Sequence, residues 1–330
     1  MGYPLSSDQK ALSDAIGELS RRHWTLDHRE RAWFGDEAAE SDLKRALIDA
    51  GVLGLMAPET CGGMGQNLVD SAAAIERLGY DLFPGWVAHH VVACCLLARH
   101  PELAAEAGQG KPLLRLLDTD RHLPYPQQVE TVIAWGERGA ELLSELTTQE
   151  LESTDKNRPL ARLTGADRRH ALEHAQGDAF GRRASELSLL ADAFQLLGIG
   201  QAALDMSVDY VSQRHQFGQP VGAQQAVKNQ LADALIALEF ARPMVQRAAY
   251  AWQEQEAVTA GRVSGCWILV TEAAQRVERA ALQVHGAMGY SIEYPLHQLL
   301  KRSWSLRAAH GRLSEHRAQA QEWLLGGNSE

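Results

Sequence analysis

Only four cysteines occur in 330 residues: an adjacent pair, Cys94 and Cys95, and two distant singles, Cys61 and Cys266. That pattern holds neither a CxxC metal pair nor a spaced disulfide framework, so reduced, largely buried thiols and a cytoplasmic protein are expected. No stretch approaches eighteen uninterrupted apolar residues, and the most apolar window, Trp86 to Ala98, is broken by His89 and His90. It reads as a core helix, and no membrane span is expected. Positive charge is not in excess: 32 Lys and Arg face 42 Asp and Glu, a formal charge of −10, which offers no basic field for a nucleic acid. The start lacks the basic-then-apolar run of a signal peptide, although Met1, Gly2 and Ser6 loosely fit an N-acylation pattern. No Glu-x-x-His, HExxH or GxSxG occurs, and the glycines at 62, 63 and 65 lack the preceding strand of a dinucleotide fingerprint. No metal site is therefore expected.

What is present falls into three textures. Residues 1–110 are helical by pattern, interrupted at Pro58 to Gly65, where glycines permit positive φ. Residues 111–182 hold a strand-like run, Val129 to Trp135, and turn signals at Gly136 to Gly139 and Asp155 to Pro159, predicting a small β-containing insert. In residues 183–330, apolar residues recur at spacings of three and four in four successive segments. The first seam runs from Leu187 through Phe194, Gln201 and Val208 to Val211, the second from Leu231 through Leu235 and Arg242 to Trp252. A third follows from Val263 to Val284, and a fourth from Leu296 through Ser303 and His310 to Leu313. Four such seams with short connections predict an antiparallel four-helix bundle. Burial of each large side chain contributes roughly 1.5–3 kcal/mol before entropy is counted, so the bundle should dominate stability.

Two helix junctions stand out. Arg214 to Gln225 places Gly218 and Pro220 where a helix would stop, and Arg214 where a cation suits the helix dipole. Gln283 to Tyr290 is rich in small residues, which suits either tight helix packing or close approach of a flat ligand.

Together these junctions resemble elements of the acyl-CoA dehydrogenase family. Arg214, Phe217, Gly218, Pro220, Val221 and Gln225 match its R-x-x-F-G-x-P-[IV]-x-x-x-Q element. Gln283, Gly286, Gly289 and Tyr290 match its Q-x-x-G-G-x-G-[FY] element, with Ala287 in place of one glycine. The resemblance spans almost the whole chain and implies a mainly α protein: an N-terminal helical domain, a middle β domain, a C-terminal four-helix bundle, and FAD. In that family these two elements reach the ADP half of an FAD held by the neighbouring subunit. The resemblance therefore assigns cofactor contacts to Arg214, Gln216, Phe217, Gln225, Gln283, His285, Gly286 and Gly289.

Two departures qualify it. The family's carboxylate base stands at either of two positions, which here hold Ser188 and His310. Asp192 lies one helical turn, about 5.4 Å, from Ser188, Glu186 points to a different face, and His310 falls on the seam phase between Leu306 and Leu313. The segment between Gly110 and Glu130 also lacks the family's flavin-holding motif, so the first half of the β domain is expected to be deleted. The parts lost are those a subunit uses for its own site, and the parts kept are those it lends. The chain thus resembles the smaller, non-base-bearing subunit of heterotetrameric acyl-CoA dehydrogenases acting on steroid side-chain CoA thioesters. That resemblance implies an α2β2 assembly with a full-length partner chain, an acyl-CoA substrate and an electron-transfer flavoprotein as acceptor. A self-sufficient homo-oligomeric enzyme using His310 or Asp192, and a non-catalytic structural subunit, remain the alternatives.

Overall fold

The computed structural model describes residues 5–117, 122–136, 139–172 and 177–326. Met1 and Gly2, which carried the acylation pattern, lie outside the described residues, as do residues 137–138 of the turn after Trp135.

Six helices form the N-terminal part: α1 (Ser7–His23), α2 (Leu26–Trp33), α3 (Glu37–Asp49), α4 (Leu68–Tyr80), α5 (Trp86–Cys94) and α6 (Pro101–Gly108). Their starts follow from local chemistry. Ser6 and Gln9 form a reciprocal capping box at α1, and Asn67 caps α4 by accepting from the Asp70 N–H. The loop at Pro58 to Gly65 breaks the helical run as expected, with Gly62 and Gly65 at positive φ. Every residue of α5 is buried, including His89 and His90.

The middle part is a five-stranded sheet: β1 (Leu114–Leu117), β2 (His122–Pro124), β3 (Thr131–Gly136), β4 (Gly139–Leu151) and β5 (Leu160–Ala171), in the order β1-β3-β4-β5-β2. β1 runs parallel to β3, and the other pairings are antiparallel. The short segment after Gly110 supplies both edge strands of this small sheet. They escape a sequence reading because β1 is four buried residues without alternation, and β2 ends at Pro124, tolerated on an edge that needs no further donor.

The C-terminal part contains α7 (Gly177–Gln213), α8 (Gln225–Gln253), α9 (Thr259–His285), α10 (Leu296–Ala308) and α11 (Leu313–Gly326). α7 begins six residues ahead of the boundary read at 183. The first three seams are largely buried, but Val208 and Leu235 are 48% and 42% exposed, so the seams twist out of the core there. The fourth segment is two helices, not one. Gly311, at φ +78°, ends the helical path between α10 and α11, although the apolar period continues through it. His310 therefore sits on a turn rather than on a helix seam.

Three contacts lock these parts together. Arg302 of α10 is buried; its Nε donates to Asp155 Oδ2 at 2.5 Å, and its other nitrogens donate to the Phe83 and Asn157 carbonyls at 2.9 Å each. Arg242, which interrupts the second seam, pairs with Glu76 of α4. At the crossing of α4 and α7, a Cβ on Gly79 would lie 2.3 Å from the Gln195 carbonyl oxygen, and one on Gly198 2.0 Å from that of Glu76.

Candidate functional site

A cleft of about 1660 Å³ opens between the sheet, the N-terminal part of α7, the start of α9 and the α10–α11 turn. This exceeds the roughly 300–1000 Å³ of ordinary small-molecule sites. Trp135 and Gly136 of β3, Ser188 of α7, Ser264 of α9, Trp304 of α10 and His310 all line it.

Ser188 and His310 are joined here by one chain of hydrogen bonds. Asp192 Oδ2 accepts from His310 Nε2 at 2.7 Å, and Oδ1 accepts from His89 Nε2 and Gln195 Nε2 at 2.8 Å each. At the far end the Ser188 hydroxyl lies 3.5 Å from His89 Nδ1. Burial pushes His89 down to about 4, helped by the positive charge of Arg115, so the ring is neutral at pH 7. Burial alone would raise Asp192, but the hydrogen bonds donated to it by His310 and His89 hold it well below the usual carboxylate range. The network is thus an ionised carboxylate held between two imidazoles. Sequence reasoning missed His89, which sits 103 residues from Asp192. Its one signal was two adjacent histidines in the most apolar window of the chain.

The cofactor-element residues gather at the opposite end of the bundle. Arg214 follows α7, is exposed, and its guanidinium makes no ion pair among the described residues. The chain then turns tightly, pairing His215–Gln216 with Gln219–Pro220 and leaving Phe217 92% exposed at the tip. Gln225 opens α8 and donates to Asn229 at 2.9 Å. Gln283 is exposed near the end of α9, and Gly286 terminates that helix at φ +58°, ψ −133°, a conformation reserved for glycine. His285 differs from the others. Its Nδ1 donates to the Ala281 carbonyl at 2.8 Å, its Nε2 accepts from the Tyr294 hydroxyl at 3.1 Å, and its ring stacks on Tyr210 at 4.4 Å. It is buried and holds the ends of α7 and α9 side by side, and Gly289, also buried, lies between Leu282 and His285 of α9 and Leu296 of α10. The exposed set suits a nucleotide diphosphate: a guanidinium for the pyrophosphate, two amides, and a side-chain-free backbone at Gly286. Met288, Tyr290 and Ile292, which follow Gly286 in the chain, are 44%, 77% and 56% exposed.

The fold and this pair of sites define the class. Residues 6–104 match the acyl-CoA dehydrogenase N-terminal domain and residues 190–325 the acyl-CoA dehydrogenase C-terminal domain. The chain belongs to the acyl-CoA dehydrogenase family, whose cofactor is FAD. Among particular relatives, it is 26% identical over 301 residues to acyl-CoA dehydrogenase IpdE2 of Mycobacterium tuberculosis (strain ATCC 25618 / H37Rv), covering 90% of this chain and 91% of that one. Among solved structures, it is similar to a chain of the ChsE4-ChsE5 complex from Mycobacterium tuberculosis, with TM-score 0.87, 22% identity and full coverage of both chains. It is also similar to the Tcur3481-Tcur3483 steroid ACAD G363A variant, with TM-score 0.86, 22% identity, and 99% and 100% of the two chains covered.

Proposed function

We propose that this chain is a subunit of an FAD-dependent acyl-CoA dehydrogenase, completing the FAD site of a full-length family chain in an α2β2 assembly and lacking a glutamate base of its own. The observation that carries this reading is a separation. From Asp192 to Gln213, α7 spans 21 residues, about 30 Å at 1.5 Å per residue, farther than an extended dinucleotide reaches. Arg214 and Gln283 therefore serve a different flavin from any in this chain's cleft, and their exposure, ringed by apolar side chains, supports a neighbour docking there. Arg214 would grip the pyrophosphate, and Gly286 would let the backbone approach the adenosine. FAD, when bound, supplies the hydride acceptor for α,β-desaturation. The steroid ACAD among the fold neighbours supports a bulky acyl-CoA, a steroid side-chain thioester, as the substrate class, and the ChsE4-ChsE5 complex supports an assembly of two unlike chains. An electron-transfer flavoprotein completes the scheme as acceptor, and four free thiols support a cytoplasmic setting.

The test is flavin absorbance per chain after expression alone and after co-expression with a full-length family member. One FAD per pair of unlike chains, and none in the lone chain, is the expected result. In the complex, Arg214→Ala should weaken FAD binding about ten- to a hundredfold, the worth of a charge-assisted hydrogen bond. Unchanged FAD content would reduce this end of the bundle to packing and leave a structural subunit.

One observation favours a second reading, a self-sufficient homo-oligomeric dehydrogenase: His310 lines this chain's own cleft and is paired with the Asp192 carboxylate at 2.7 Å. Flavin in the lone protein would select it.

A further inference from the structure

Arg158 is a buried cation that the fold leaves without a counter-charge. It stands between β4 and β5, lines the cleft and is 5% exposed. Its backbone is fixed on both sides: the N–H donates to the Asp155 carbonyl at 2.9 Å, and the carbonyl accepts from the Ser153 hydroxyl at 2.8 Å. The guanidinium donates through Nη1 to the Ser305 hydroxyl of α10 at 2.9 Å, and no other protein acceptor meets it among the described residues. Asp155, three residues before it, is already taken: Oδ2 accepts from Arg302 at 2.5 Å and Oδ1 from the Asn157 N–H at 3.0 Å. Glu152, Glu186 and Glu322 line the same cleft, and none of them forms an ion pair with Arg158. Holding a cation out of water without a partner is costly, and that cost is recovered when an anion reaches it.

We infer that this cleft holds an oxyanion subsite in which Arg158, positioned by Ser305, takes the carboxylate of an apolar acid. With Nη1 on Ser305, the edge formed by Nε and Nη2 remains, two parallel N–H groups that match the two oxygens of a carboxylate. The walls beside it suit a hydrocarbon. Leu160 lies two residues on, Pro124 of β2 is its partner in the sheet, and Ala308 stands one turn beyond Ser305 on α10; all three line the cleft. Arg115, Arg158 and Arg182 are matched by the three glutamates around the same space. The cleft thus has no surplus of positive charge for a dianionic phosphate, whereas a singly charged carboxylate needs only the fork of Arg158. The subsite goes beyond the dehydrogenase reading and does not rest on it, so its failure would leave that reading intact.

The experiment titrates the full chain, as purified, with octanoate, octanamide and inorganic phosphate by calorimetry. Octanoate should bind about tenfold or more tighter than octanamide, which has the same shape without the charge. Arg158→Met should bring octanoate down to the octanamide affinity and leave octanamide within about threefold of the parent. Arg158→Lys, which keeps the charge without the fork, should retain a preference of only about threefold. Without any of these compounds, Arg158→Met should melt within about 2 °C of the parent, because the charge it removes has no ion pair to lose. Equal affinity of the parent for octanoate and octanamide, or an octanoate preference that survives in Arg158→Met, overturns the inference. Phosphate that displaces octanoate at equal concentration overturns the carboxylate assignment and makes the subsite one for phosphate. Should Arg158→Met fail to fold, the parent's ratio of octanoate to octanamide and the Arg158→Lys titration decide the question.

Discussion

Asp155→Ala tests how the three parts of the chain are joined. Arg302 is 3% exposed and Asp155 1%, and the guanidinium's other hydrogen bonds go to the neutral Phe83 and Asn157 carbonyls. Removing the carboxylate leaves a buried cation without a counter-charge, a change that costs about 3–5 kcal/mol. With an unfolding entropy of about 2.1 cal/mol/K per residue, a chain of 330 residues has a total near 0.7 kcal/mol/K. The melting temperature should therefore fall by about 4–7 °C in scanning calorimetry. The double variant Asp155→Ala, Arg302→Met removes both charges and should melt above Asp155→Ala alone, because the uncompensated cation is gone. A single variant within 1 °C of the parent, or a double variant that loses the sum of the two single losses, would refute the clamp.

Three further outcomes are expected. His90 accepts from the Leu114 N–H at 2.9 Å and donates to the Ala107 carbonyl at 3.0 Å, and burial pushes it down to about 4. Unfolding then takes up a proton between pH 6.5 and pH 4, so stability falls as pH drops through that window, by about 3 kcal/mol in total for this group; a His90→Gln variant whose urea midpoint falls as steeply over that range would contradict it. Gly286→Ala forces a side chain into φ +58°, ψ −133°, costing on the order of 1–3 kcal/mol, and should lower both the melting temperature and the FAD content of the co-purified complex. Burial raises the thiols of Cys94 and Cys266 and pushes Cys95 up to about 12, so of the two half-buried thiols, Cys61 and Cys95, only Cys61 should react fast with Ellman's reagent in native protein, with four equivalents after unfolding; two fast equivalents would refute the raised Cys95 thiol.

What could be read from the sequence was whatever is local or periodic. The seams from Leu187 and Val263 place α7 and α9 because each residue's neighbour on the helix face is three or four positions away. The junction motifs fall at helix ends because Gly286 terminates α9 by its own backbone preference, while Gly218, at φ +79°, makes the tight turn that follows the end of α7 at Gln213. The fourth segment failed for the converse reason: the period carries through His310 to Leu313, while one glycine at positive φ breaks the path. The His89–Asp192 contact and the Asp155–Arg302 clamp were invisible because they join residues 103 and 147 positions apart, and nothing in a helix period records which polar residue meets which across the core. Strands β1 and β2 were missed because four and three residues are too few to show an alternation.

The crossing of α4 and α7 limits how the cleft can accommodate a large ligand. With Gly79 and Gly198 each set against the other helix's backbone, those two rods are in main-chain contact and have no side-chain cushion to slide on. One jaw of the cleft is thereby immobilised, because Ser188 and Asp192 ride on the same rod as Gly198. Any opening must come from the opposite jaw, formed by the sheet and the α10–α11 turn, and that jaw carries His310. Any widening of the cleft on that side changes the Asp192–His310 distance, because His310 rides on the turn while Asp192 stays on the fixed rod.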